Sequence, residues 1–187
     1  MNALFVCAPG AGGHKNDRAM LGIAEALGAR GIEVVRFNFP YRERGSRRPD
    51  PMPSLRAAFD AAVAGARADF PHHKLIIGGR SMGGRVASMM AADGFACDGL
   101  LLFAYPLHPA GQPDKLRDAH LPRIKVPVLC FNGTRDKLCR RDLMERALES
   151  VTTDWQMEWL EAADHSLKGE ALMNQMADTV VNWRALK

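Results

Sequence analysis

Short, mainly apolar blocks alternate along the chain with longer stretches whose apolar positions recur every three or four residues. Mainly apolar blocks of this length suit the strands of a parallel sheet covered on both faces, and the longer period suits amphipathic helices. The blocks at 3–8, 33–39, 74–78, 98–105, 126–131 and 156–160 predict strands. Helices are predicted over about 17–29, 54–70, 82–92, 140–149 and 167–185, with Gly31 stopping the first and Ser54 capping the second. Pro40 ends the second strand and a polar loop runs on to Pro53. Residues 106–125 read as a Pro-rich and His-rich connection holding at most a short helix.

Strands that alternate with helices predict an α/β fold, a three-layer α/β/α sandwich around a mostly parallel sheet of six strands. Right-handed crossovers put every strand-to-helix loop on one edge of such a sheet, where open α/β folds bind ligands. With 187 residues, 47% of them apolar, the chain suits one core, and no internal repeat or linker divides it. The expectation is a single domain spanning 1–187.

The strongest chemical pattern is Gly79-Arg80-Ser81-Met82-Gly83, set between an apolar strand and an Ala-rich and Met-rich helix. A sharp strand-to-helix turn brings chain segments close together, so small residues two places either side of the serine avoid clashes. The bland reading is a tight turn with Ser81 as a helix cap. A serine nucleophile needs a base within hydrogen-bond reach and an acid that holds that base. Asp136 follows the fifth predicted strand and His165 the sixth, so the chain order is serine, acid, histidine. Asp142 and Asp164 are the alternative acids. His14, His72, His73, His108 and His120 compete with His165, but His72 and His73 precede a strand and belong to the opposite edge.

Backbone N–H groups that stabilise a tetrahedral oxyanion are expected from Met82 and from the first loop, Pro9-Gly10-Ala11-Gly12-Gly13, with Ala11 preferred and Gly10 next. That loop does not bind phosphate as a P-loop would, because its glycine spacing is wrong and Asn16 follows Lys15. No nucleotide cofactor and no metal are expected. Tyr41, Arg80, Tyr105 and His108 are the candidate substrate-binding residues.

Net charge is +4, a mild bias that attracts anions without indicating nucleic acid. The loop 41–48 holds Arg42, Arg44, Arg47 and Arg48 against one glutamate. One reading is selection of substrates with a carboxylate or phosphate, and the bland one is a solvated loop with Arg80 and Arg135 in structural ion pairs. Cys7, Cys97, Cys130 and Cys139 are widely spaced and read as reduced thiols, buried in the cases of Cys7 and Cys130. No apolar stretch is long enough to span a bilayer, and a cytoplasmic protein is expected.

Taken together, Phe5-Val-Cys-Ala-Pro-Gly-Ala-Gly-Gly13, Phe37-Asn-Phe-Pro-Tyr41, Gly78-Gly-Arg-Ser-Met-Gly-Gly-Arg85, Leu102-Phe-Ala-Tyr-Pro-Leu107, Val128-Leu-Cys-Phe-Asn-Gly-Thr-Arg-Asp136 and Asp164-His165 resemble the α/β-hydrolase superfamily. Within it the chain resembles small serine hydrolases related to dienelactone hydrolases and to the testis-expressed protein 30 / KANSL3-like group. The resemblance implies a minimal α/β-hydrolase fold without a large lid and a strand order of 2-1-3-4-5-6. It also implies Ser81 as nucleophile, Asp136 as acid and His165 as base. Dienelactone hydrolases carry cysteine where this chain has Ser81, so their lactone chemistry does not transfer. The expected activity is cleavage of a small carboxylic ester or thioester, anionic if the arginines select it, through an acyl-enzyme. The alternatives are a peptidase acting on short peptides and a non-catalytic interaction module that kept the fold.

Overall fold

The computed structural model describes residues 2–187. Its strands are β1 (Ala3–Ala8), β2 (Ile32–Arg36), β3 (Lys74–Arg80), β4 (Gly99–Phe103), β5 (Val128–Gly133) and β6 (Trp155–Leu160). Its α-helices are α1 (Arg18–Gly28), α2 (Pro40–Glu43), α3 (Met52–Asp69), α4 (Met82–Ala92), α5 (Arg141–Leu148) and α6 (Glu170–Asn182). All strand pairs are parallel, in the order β2-β1-β3-β4-β5-β6.

Alternation along each strand sorts side chains into two layers. In β1, Leu4, Val6 and Ala8 face a core with Phe59 of α3, Val86 of α4 and Met144 of α5. Ala3, Phe5 and Cys7 face the other core, with Ile23 of α1 and Met176 of α6. Helices therefore cover both faces, as a parallel sheet requires, and among the described residues no inserted domain covers the loop edge. The strand order reverses between β1 and β3. Their C-terminal ends therefore splay their following loops apart and leave a crevice.

Several boundaries differ from the sequence pattern for local reasons. Pro51 and Pro53 start α3 two residues early, so Ser54 lies inside the first turn and makes no cap hydrogen bond. The polar loop after β2 contains the one-turn helix α2, with Pro40 in its first turn. β4 stops at Phe103 because Ala104 takes a left-handed φ of 52°. α6 begins at Glu170, three residues later than the apolar period suggests, because Leu167 and Gly169 adopt φ values of 45° and 115°. It ends at Asn182, and a 3₁₀ turn over Arg184–Leu186 completes the predicted stretch.

Candidate active site

The turn after β3 is built by close approach of backbones. A Cβ on Gly79 would lie 2.1 Å from the carbonyl oxygen of Ala8, and one on Gly83 would lie 2.4 Å from the same atom. No side chain fits at either place, so the two glycines let β3 and α4 close onto β1. Between them Ser81 takes φ 50° and ψ −117°, a conformation that costs of order 1–3 kcal/mol for a non-glycine residue. Its N–H donates to the Phe103 carbonyl at 2.8 Å, which helps to hold it there.

His165 Nε2 lies 2.9 Å from Ser81 Oγ, and His165 Nδ1 lies 2.8 Å from Asp136 Oδ2. With Nδ1–H donating to the carboxylate, Nε2 is left to accept from the serine hydroxyl. The loops bearing His165 and Asp136 meet because a Cβ on Gly133 would sit 2.1 Å from the Ala163 carbonyl, so only glycine allows that contact. The Arg135 N–H donates to the Ala163 carbonyl at 2.9 Å across the same junction. The Asp136 side chain is fully buried, while the His165 side chain is 26% exposed. Asp164, the alternative acid, instead accepts the Ser166 N–H at 2.8 Å, and Asp142 pairs with Arg140 on the surface.

Asn132 is the residue that sequence reasoning missed. It is fully buried at the end of β5, where its Nδ2 donates to Asp136 Oδ2 at 3.2 Å and to the Tyr105 carbonyl at 3.2 Å. Its Oδ1 accepts the Tyr105 N–H at 3.0 Å. One side chain thus grips both backbone groups of Tyr105 and the oxygen of Asp136 that faces His165. The Leu138 N–H supplies the other carboxylate oxygen with a 2.8 Å bond. An uncharged amide directly after an apolar strand block, four residues before Asp136, was the available clue, because buried polar groups need partners.

In the first loop, a Cβ on Gly10 would stand 3.5 Å from Ser81 Cβ, so this loop passes directly beside the serine. The Gly12 N–H is taken by the Tyr41 hydroxyl at 3.1 Å, and the Gly13 N–H by the Gly10 carbonyl at 3.0 Å. Among the described residues, the N–H groups of Gly10, Ala11 and Met82 donate to no protein acceptor.

The expected substrate-lining residues are placed differently. Tyr41 is fully buried, and its hydroxyl accepts the Gly12 N–H of the first loop. Tyr105 is fully buried too, its hydroxyl donating to the Arg117 carbonyl at 3.2 Å. His108 is buried, with Nε2 accepting the Arg140 N–H at 3.2 Å. Apolar context explains the correction: the aromatic bodies are worth more in the core than at the rim, provided each polar tip finds a partner. Arg80 alone of the four is half-buried and open to a cleft. Neither Arg80 nor Arg135 lies within 4 Å of a carboxylate among the described residues, so the ion pairs suggested for them do not form.

A second serine–histidine contact lies beneath α4. Ser88 Oγ is 2.8 Å from His120 Nε2, and the Tyr105 hydroxyl is 3.3 Å from the same nitrogen. Ser88 is fully buried, so this pair ties the 106–125 connection to α4 and has no access to solvent-borne substrate. Burial, with Arg85 and Arg123 nearby, pushes the His120 pKa down to about 4. The Cys7, Cys130 and Cys139 thiols are buried and pushed up by desolvation, which makes them poor nucleophiles. No group of His, Cys, Asp and Glu able to hold a metal occurs among the described residues.

A doubly wound parallel sheet, a strained serine at the β3–α4 turn and a histidine–carboxylate pair on later loops define an α/β-hydrolase-type protein. The chain belongs to the alpha/beta hydrolase domain family, whose profile matches residues 1–185. Solved structures share the fold at low identity. An alpha-beta serine hydrolase homologue from Coxiella burnetii superposes with a TM-score of 0.79 at 17% identity, covering 97% of this chain and 85% of that one. XC6422 from Xanthomonas campestris, described as an a/b serine hydrolase without lid, gives 0.76 at 22% identity over 96% and 80%. Dienelactone hydrolase from Anabaena variabilis gives 0.71 at 20% identity over 97% and 85%.

Proposed function

We propose that this protein is a serine hydrolase that cleaves a small carboxylic ester or thioester through a Ser81–His165–Asp136 triad. The observation that carries this reading is the unbroken hydrogen-bonded line from Ser81 Oγ through both nitrogens of His165 to Asp136, at 2.9 and 2.8 Å. It supports an enzyme over an interaction module, for which His165 would be expected to turn away from the serine.

In the proposed cycle Ser81 Oγ adds to the substrate carbonyl and its proton passes to His165 Nε2. The oxyanion is held by the Met82 N–H with that of Ala11 or Gly10, groups with no protein acceptor among the described residues. Collapse breaks the bond to the leaving oxygen or sulfur, which takes the proton from His165. Water then attacks the acyl-serine, gives its proton to His165, and the acid departs as Ser81 Oγ recovers that proton. Asp136 holds the histidine tautomer and offsets the positive charge of the imidazolium.

The quoted motifs also favour a place near the testis-expressed protein 30 / KANSL3-like group, as a single cytoplasmic domain spanning 1–187. The free cysteines agree with that setting. Among the described residues no helix is long and apolar enough to cross a membrane.

The test is labelling of the purified protein with a fluorophosphonate, located by peptide mass spectrometry, beside Ser81→Ala. Label on Ser81 that vanishes in the variant is the expected result. A folded protein that takes no label would overturn the proposal.

A further inference from the structure

Arg80, the residue before the serine, is a half-buried cation without a counter-ion. Arg30 and Arg44 pair with Asp178 and Asp50 at 2.7 and 2.6 Å, but Arg80 has no carboxylate within 4 Å among the described residues. Its Nη2 donates to the His165 carbonyl at 2.8 Å, and its buried Nε has no partner. The carboxylates nearby are already engaged. Asp136 serves His165, Asp17 accepts the His14 N–H at 2.7 Å, and Asp164 accepts the Ser166 N–H. Burial lowers the Arg80 pKa, opposed only by these more distant charges. A guanidinium withdrawn from water without an ion-pair partner is costly, and an arriving anion offsets that cost.

Arg80 also lines a cleft of about 960 Å³ between α1 and the segment 166–174 that leads into α6. Leu21, Ala26, Leu167 and Met173 give it apolar walls, and Leu21 is left 43% exposed there. Arg18 and Lys168 add positive charge to its lining and Glu25 and Glu170 negative charge, so that with Arg80 the cations outnumber the carboxylates. The place a Gly10 Cβ would take is 3.5 Å from Arg80 Nη1 and 3.5 Å from Ser81 Cβ. Arg80 Nη1 and Ser81 thus both flank Gly10, and the cleft at Arg80 begins beside the serine turn although Ser81 and His165 do not line it.

We infer that the cleft receives the acid side of the substrate and that Arg80 pairs with a carboxylate at its end. The preferred substrates are then half-esters or half-thioesters of short dicarboxylic acids. With Nη2 committed to the His165 carbonyl and Nε buried, Nη1 is the guanidinium nitrogen left for a substrate carboxylate, and the apolar walls suit a short methylene spacer. This inference rests on the hydrolase reading above, and Arg80 discriminates among substrates without taking part in bond making.

The experiment compares p-nitrophenyl hydrogen glutarate with the same compound capped as its methyl ester, after subtraction of spontaneous hydrolysis. The wild-type protein is expected to favour the free carboxylate about tenfold or more in kcat/KM, the size of one charge-assisted contact, with the preference shrinking as salt is added. Arg80→Gln is expected to bring the ratio to about one and Arg80→Lys to keep part of it. Reading the ratio cancels any loss common to both substrates from the broken Arg80–His165 contact. Should Arg80→Gln not fold, the wild-type ratio and its severalfold decrease in Lys168→Glu decide the matter. A wild-type ratio at or below one, or an unchanged ratio in Arg80→Gln, overturns the inference while fluorophosphonate labelling of Ser81 still upholds the hydrolase. Neither label nor turnover of either ester overturns both.

Discussion

A Cβ on Gly83 would lie 2.4 Å from the carbonyl oxygen of Ala8, so the helix behind Ser81 begins in direct backbone contact with β1. The contact sets the depth of the serine turn against the neighbouring strand. Gly79 makes the matching approach from the other side, at 2.1 Å from the same oxygen.

Gly83→Ala is accordingly expected to destabilise the protein by about 3 kcal/mol, because backbone rather than a flexible side chain must move. Urea unfolding measures it. A change below about 0.5 kcal/mol would show that the strand and helix separate at little cost.

Asp136→Asn keeps the shape of the acid and removes its charge. It is expected to lower kcat/KM by about 10³-fold or more and to slow fluorophosphonate labelling, since the histidine loses both tautomer control and compensation of its positive form. Asp164→Asn, changing an exposed carboxylate that does not face the ring nitrogens, is expected to stay within a few-fold of wild type.

Asn132→Leu removes the amide that holds Asp136 and Tyr105 together. Stability is expected to fall by about 1–3 kcal/mol, because the two Tyr105 backbone groups and one Asp136 oxygen lose a partner. A fall in kcat with KM nearly unchanged would mark Asn132 as a positioning residue. A loss of stability alone would limit it to a structural part.

His120 predicts the acid side of the stability profile. Its ordinary value of 6.5 is lowered to about 4 in the fold, so the folded protein keeps it neutral where the unfolded chain binds a proton. Its contribution is complete above about pH 6.5, is lost progressively as the pH falls, and is exhausted near pH 4. The loss over that window is up to about 3 kcal/mol. Urea midpoints measured across it should fall with pH, and His120→Gln should flatten the slope. An equal slope in the variant would assign the acid sensitivity to other groups.

Much of the fold was legible because a strand buried on both faces must be apolar throughout, and a helix lying on it must be apolar on one side. Those requirements act within a few residues, so the six strands and the five longer helices could be placed to within about three residues at most ends, while the one-turn helix Pro40–Glu43 was read as loop. Ser81, Asp136 and His165 could be nominated for a related reason. In a parallel sheet every residue just after a strand lies on the same edge, which is a matter of topology and order.

What the chain pattern could not reveal depends on contacts between segments distant in sequence. Tyr41, Tyr105 and His108 looked like rim residues, and only the packed structure decided that each turns inward to a particular partner. Asn132 was one polar letter at the end of an apolar block until Tyr105 and Asp136 were brought against it. Arg80 could be read as an ion-paired or a substrate-facing residue, because pairing depends on which carboxylates remain uncommitted nearby. Apolar periodicity and strand order follow from local burial, so the sequence by itself determined the architecture and the edge on which the triad candidates stand. Hydrogen-bond partners and unmet charge depend on separations of a few ångströms across the fold, so only the tertiary structure decided them.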